Sequence, residues 1–137
     1  MSEQPTPSQT AAQTNPQTIL AFDYGEKRIG VAVGNTLTKT AEPLKIIQKQ
    51  FQYERFKDIE QVIHEWQPQL LLVGLPRHPD GGEHDMTQKA KRFGNQLHGR
   101  FQKEVVWVDE RYTSVSVQDG NDALAAQLIL KQYLDTL

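Results

Sequence analysis

Residues 19–33 read ILAFDYGEKRIGVAV, and this stretch decides the fold. Two apolar segments flank a short polar connection, and the second segment alternates branched aliphatic residues with glycine and alanine. Such a pattern predicts an antiparallel β-hairpin at the start of a sheet. Asp23 closes the first apolar segment, and Lys27 and Arg28 follow in the connection. The hairpin therefore places an acid and two cations at one end of the predicted sheet.

The rest of the chain alternates between strand and helix patterns. Residues 38–47 predict a third strand with Pro43 at a bulge or an edge, and the apolar runs 70–73 and 104–109 predict buried strands. Apolar spacing predicts helices over 56–66, 86–101 and 122–134. Trp66 and Trp107 fall within these patterns and are predicted to belong to the core. The order β-β-β-α-β-α-β-α predicts an α/β fold, a mixed five-stranded sheet with helices packed on it.

Length and composition limit the classes of protein that remain. The chain has 137 residues, and we expect a disordered polar tail over 1–17 and a single domain over 18–137. The absence of cysteine excludes disulfides and thiolate metal sites. The first residues lack a signal-peptide pattern, and no apolar run is long enough to span a membrane, so we expect no membrane partner.

Charge is unevenly distributed along the chain. The net charge is −2, whereas many nucleic-acid-binding domains are basic. Residues 86–104, however, carry five basic residues and one acidic residue. Arg92 and Arg100 lie on the polar face of this predicted helix and are candidate contacts to a nucleic-acid backbone. A solvated helix face is the alternative interpretation. The other polar residues at this spacing are Lys89, Gln96 and Lys103.

Three carboxylates are candidates for the chemistry. Asp23 and Glu110 each end an apolar run, and Asp122 opens an alanine-rich helix. Carboxylates that converge repel one another unless a cation joins them, and oxygen ligands suit Mg²⁺ or Mn²⁺. Metal-assisted attack on a phosphodiester is the chemistry that this set predicts. Taken singly, Asp23 also suits a glycine turn, and Asp122 also suits a helix cap.

Cations and hydroxyls near these acids are candidates for substrate binding. Arg28 suits phosphate better than Lys27 does, because its guanidinium can contact two oxygens. The alternative for Arg28 is an exposed ion pair with Glu26 or Glu42, which would contribute little. Three further candidates for phosphate contact follow Glu110 in the sequence: Arg111, Thr113 and Ser114.

Four motifs, in order, resemble a known family. These are FDYGEKRIGVAV at 22–33, VGLP at 73–76, DERYTS at 109–114 and DALAAQLIL at 122–130. They are similar to the motifs of the YqgF-type Holliday-junction resolvases, a family also described as pre-16S ribosomal RNA nucleases. The resemblance implies a ribonuclease H-like fold, a divalent metal and action on structured nucleic acid in the cytoplasm. It places Asp23, Glu110 and Asp122 on the family's catalytic and metal-binding acids.

The same resemblance implies processing of the 5′ end of pre-16S ribosomal RNA, with ribosomal precursor particles as a further partner. We expect a monomer or weak dimer. The alternatives are a resolvase of branched DNA in recombination and repair, a non-catalytic nucleic-acid binder, and an ATP-binding domain of the actin-like type. One departure affects the site. Asp122 follows Glu110 closely for this family, so Asp119 is a rival third acid.

Overall fold

The structure, a computed structural model, describes residues 16–76, 86–110 and 122–137. The order of elements confirms the predicted β-β-β-α-β-α-β-α pattern. Most of the predicted tail lies outside the described residues, so the tail and the domain limits stay predictions. The elements are β1 Thr18–Tyr24, β2 Ile29–Asn35, β3 Thr40–Ile47, α1 Gln52–Trp66, β4 Leu70–Pro76, α2 Thr87–Phe101, β5 Glu104–Glu110 and α3 Asp122–Asp135.

The five strands form one mixed sheet in the order β3-β2-β1-β4-β5. Strand β2 runs antiparallel to both β1 and β3, whereas β4 runs parallel to both β1 and β5. The register between β2 and β3 shifts at Val31 and Ala32, opposite Pro43, which confirms the predicted bulge on an edge strand. Because β1, β4 and β5 run in one direction, their carboxyl ends meet at one edge of the sheet, which we call the acid edge.

The two faces of the sheet bury different clusters. Helices α1 and α2 cover the face that carries Phe22 and Val73, and α3 covers the face that carries Ala21 and Leu72. Side chains alternate between faces along a strand, so Asp23 belongs to the α3 face. By the same alternation Glu110 shares that face with Val108. The two strand-end acids are therefore on one side of the sheet.

The two tryptophans, Trp66 and Trp107, differ in burial. Trp107 is half-buried, so it packs on the border of the predicted core: it lies against the α1–α2 cluster and donates its indole N–H to the carbonyl of Ala90 at 3.3 Å. The core prediction for Trp66 is wrong, because its side chain is 38% exposed. Trp66 is the last residue of α1, and the buried stripe of that helix ends at Ile63. Within the described ranges, no helix combines the length and hydropathy that a membrane crossing requires.

Candidate active site

Glu110 reaches Asp23 across a glycine of the intervening strand. Glu110 ends β5 beside Pro76 of β4, and its side chain is buried. A methyl group on Gly74 would lie 2.3 Å from Glu110 Oε2, so this carboxyl occupies the space above the Gly74 backbone. Asp23 and Glu110 share a side-chain hydrogen bond. The missing side chain at position 74 therefore lets two acids from non-adjacent strands meet.

The environment of the pair favours protonation. Burial, followed by the negative charges of Glu110 and Asp122 and the hydrogen bond to Glu110, raises the pKa of Asp23 to about 9. Ionising both carboxyl groups would cost free energy, because two negative charges would then lie close together in a buried site. At neutral pH, without a bound cation, a proton therefore holds this acid pair together.

Asp122 lies at the same edge because α3 begins against the hairpin. Asp23 pairs with Gly30 across β1 and β2, and a methyl group on Gly30 would lie 1.9 Å from the Asp122 carbonyl oxygen. The Asp122 carboxylate forms an ion pair with Arg28, with Nε 3.0 Å from Oδ2. The alternative interpretation, in which Arg28 pairs with Glu26 or Glu42, is therefore wrong, because its partner is Asp122. The close approach at Gly30 brings the start of α3 within reach of Arg28, while Glu26 pairs with Lys89 of α2.

The donor set at the acid edge fits a cation only in part. Asp23 and Glu110 offer two adjacent carboxyl groups on which a hard divalent ion would replace the shared proton. Within residues 16–76, 86–110 and 122–137, no three His, Cys, Asp or Glu side chains are grouped closely enough to hold a metal ion. The third acid, Asp122, is bonded to Arg28 instead. Asp23 and Glu110 therefore supply part of a site for Mg²⁺ or Mn²⁺.

Arg55 of α1 holds the turn that carries Lys27 and Arg28. It is 6% exposed, donates to the backbone carbonyls of Glu26 and Lys49, and lies 5.8 Å from the centroid of the Tyr24 ring. Sequence reasoning missed this residue. Its signal was its spacing, because position 55 precedes Ile59 by four residues and so falls on the buried stripe of α1.

An open basin lies over the turn between β1 and β2, at the end of the sheet where β1 ends. It has a volume of about 590 Å³. Three cationic side chains and one carboxylate line this basin. The carboxylate is that of Glu26, which is paired with Lys89. The pKa of Glu26 is lowered from its usual range by this hydrogen bond to Lys89. The lining residues are Glu26, Lys27, Arg28, Gln48, Lys49 and Gln50.

The candidates on α2 occupy different parts of the helix. The Thr87 hydroxyl donates to the carbonyl of Pro76 at 2.5 Å, so α2 begins at the acid edge. Arg92 is exposed in the first half of the helix. Arg100 lies in the last turn, where its guanidinium is 4.1 Å from the centroid of the Phe56 ring. Four predicted residues lie outside the described residues: Arg111, Thr113, Ser114 and the rival acid Asp119.

Comparison with protein families gives one match over nearly the whole described chain. The family model described as RuvX: Holliday junction resolvase matches residues 17–136. The chain belongs to this family. Two relatives named "Putative pre-16S rRNA nuclease" support the assignment. The RuvX-family chain is 58% identical to the protein of Paraburkholderia xenovorans strain LB400, over 88% of this chain and 89% of the relative. It is 57% identical to that of Polynucleobacter necessarius, over 92% and 90% of the two chains.

Solved structures identify the fold of this RuvX-family chain as ribonuclease H-like. Thermus thermophilus RuvC in complex with a Holliday junction substrate is similar with a TM-score of 0.51 and 16% identity, covering 86% of this chain and 93% of that chain. The fowlpox virus Holliday junction resolvase is similar with a TM-score of 0.54 and 13% identity, covering 88% and 99%. At these identities the likeness concerns the fold, and it agrees with the mixed sheet described above.

Proposed function

We propose that this protein is a divalent-metal-dependent endonuclease that processes the 5′ end of pre-16S ribosomal RNA. The observation that carries the proposal is the Asp23–Glu110 carboxyl pair at the carboxyl ends of β1 and β5. Membership of the RuvX family and the names of its relatives supply the class of substrate. Cytoplasmic action on ribosomal precursor particles follows from the same substrate.

The site residues have two proposed roles, metal binding and phosphate binding. Asp23 and Glu110 would hold a Mg²⁺ or Mn²⁺ ion, which supplies Lewis-acid stabilisation of the negative charge that develops on a phosphodiester. Arg28 and Lys27 line the adjacent basin and are positioned to bind substrate phosphates. Arg55 bonds the backbone carbonyl of Glu26 and so fixes the turn that carries both cations.

Two alternative functions have an observation in their favour. The family description favours cleavage of four-way DNA junctions in recombination and repair. The absence of a group of three acids among the described residues favours a non-catalytic nucleic-acid binder on the same fold. The three functions differ in substrate and in the need for metal, so one set of assays separates them.

The test is cleavage of a 5′-extended 16S ribosomal RNA precursor and of a four-way DNA junction, with Mg²⁺ or Mn²⁺ and with EDTA. We expect metal-dependent cleavage of the RNA, lost in Asp23→Asn and in Glu110→Gln. Glu104→Gln is the matched control, because Glu104 is an exposed acid at the opposite end of β5. Preferred cleavage of the junction would establish the resolvase function. RNA binding that persists in EDTA, without cleavage under either metal, would establish the binder.

A further inference from the structure

Arg28 lies between two chemically different surroundings. On one side it forms the ion pair with Asp122, whose side chain is 14% exposed. On the other side it lines the open basin, and its own side chain is 44% exposed. A guanidinium in this position can bond either a carboxylate of the protein or a phosphate of a ligand.

The ion pair also determines where the third acid is. Asp122 is close enough to Asp23 for its negative charge to contribute to the raised pKa of that group. Its carboxylate nevertheless bonds Arg28, and the described residues contain no group of three acids arranged to hold a metal ion. The backbone of Asp122 is fixed against Gly30, so a change of side-chain rotamer is the movement open to this carboxylate.

We propose that Arg28 links substrate binding to assembly of the acid site. While the basin is empty, Arg28 holds the carboxylate of Asp122 away from the Asp23–Glu110 pair. A nucleic-acid phosphate that enters the basin bonds the guanidinium and releases Asp122, which then joins the pair as the third acid. Arg28 is thus a positioning residue for Asp122 as well as a phosphate contact. This inference rests on the proposed metal-dependent function.

The consequence is that the free protein binds metal more weakly than the protein relieved of this ion pair. We would measure Mn²⁺ affinity by isothermal titration, without nucleic acid, for wild type, Arg28→Gln and Lys27→Gln. Lys27→Gln is the matched control, because it removes one positive charge from the same turn and basin. Arg28→Gln should tighten Mn²⁺ binding roughly three- to tenfold, and Lys27→Gln by less than about twofold, since general charge effects on an exposed turn are screened.

A double-mutant cycle isolates the route through Asp122. In the Asp122→Asn background, Arg28→Gln should give no more tightening than Lys27→Gln gives. Circular dichroism and thermal melting establish that each variant is folded before its affinity is compared. Equal affinities for Arg28→Gln and Lys27→Gln, or a gain that persists in Asp122→Asn, would overturn the inference while leaving the nuclease proposal standing. No Mn²⁺ binding by any folded variant would overturn both.

Discussion

Gly30 of β2 lies directly against the backbone carbonyl oxygen of Asp122, where an added methyl group would come within 1.9 Å. The same methyl group would lie 2.8 Å from the backbone nitrogen of Ala123. Both obstacles are backbone atoms of the first turn of α3, so a side-chain rotation cannot relieve the clash. This contact fixes the start of α3 against the hairpin that carries Asp23.

Gly30→Ala should therefore displace α3 from the sheet. We expect a loss of about 2–3 kcal/mol in the free energy of unfolding, as for overpacked cores. Urea denaturation measures the change. The matched control is Gly99→Ala, because Gly99 is an exposed helical glycine with no atom within 4 Å of an added methyl group. That variant should be more stable by about 0.5–1 kcal/mol, and equal effects of the two substitutions would contradict the close packing at Gly30.

Asp23→Asn should change how stability depends on pH. In metal-free wild type the pKa of Asp23 is raised from 3.8 to about 9, so between these values the folded state holds a proton that the unfolded state has lost. Stability should then fall as pH rises from about 4 to about 9. Asn removes the ionisation and with it this contribution to the slope.

Thermal unfolding in EDTA at pH 5, 7 and 9 checks this prediction. Wild type should lose melting temperature across the series, and Asp23→Asn should lose less and be the more stable of the two at pH 9. Asp135→Asn, at the far end of α3, is the control and should retain the wild-type slope. Parallel slopes for wild type and Asp23→Asn would show that the acid pair does not hold a proton.

Arg55→Lys should loosen the turn that carries Lys27 and Arg28. Lysine keeps the positive charge but cannot reproduce the contacts of a buried guanidinium to the carbonyls of Glu26 and Lys49. We expect a loss of about 1–3 kcal/mol in stability. Arg92→Lys is the control at an exposed position, and it should leave the free energy of unfolding unchanged. In an RNA-binding titration, Arg55→Lys should weaken affinity although no charge is lost, and an unchanged affinity would contradict a positioning role.

Lys49→Ala tests whether the basin binds a nucleic-acid backbone. Lys49 lines the basin and lies 4.0 Å from Asp58, and a partly exposed pair of this kind contributes little to stability. RNA affinity should fall, and the slope of log affinity against log salt should flatten by about one unit for the lost phosphate contact. Lys39→Ala removes a charge from the turn at the opposite end of the β2–β3 pair and should leave both quantities unchanged. Equal losses in the two variants would assign the effect to net charge.

The sequence was sufficient to predict the fold and the convergence of two acids. Apolar runs and one alternating segment mark the strands, and Asp23 and Glu110, which each end an apolar run, were expected to converge. The ion pair of Arg28 with Asp122 was not predictable, because it depends on how closely α3 approaches the hairpin. That distance is set by Gly30, which pattern analysis shows only as a gap in an apolar strand.

The contacts that bury Arg55 and Glu110 were also beyond sequence reasoning. Arg55 occupies a position that helical spacing assigns to the core, and only its two carbonyl partners explain an arginine there. Glu110 fills the space above Gly74, a contact between strands that are far apart in sequence. In both cases, contacts with residues that are distant in sequence explain the burial, and a local sequence pattern does not contain them.

Arg92 and Arg100 were predicted to act alike, but they lie at different places along α2 and only Arg100 has a described contact with an aromatic ring. Helix α2 begins at the acid edge, and Arg100 lies about 12 Å further along it than Arg92 at the usual rise per residue. Arg92→Ala should weaken RNA binding and flatten its salt dependence without changing stability. Arg100→Ala should instead cost about 0.5–1 kcal/mol in the free energy of unfolding, because its guanidinium packs on Phe56. Salt titrations and urea denaturation of both variants decide the matter. If Arg100→Ala lowers the salt slope as much as Arg92→Ala does, the bound nucleic acid runs the length of α2.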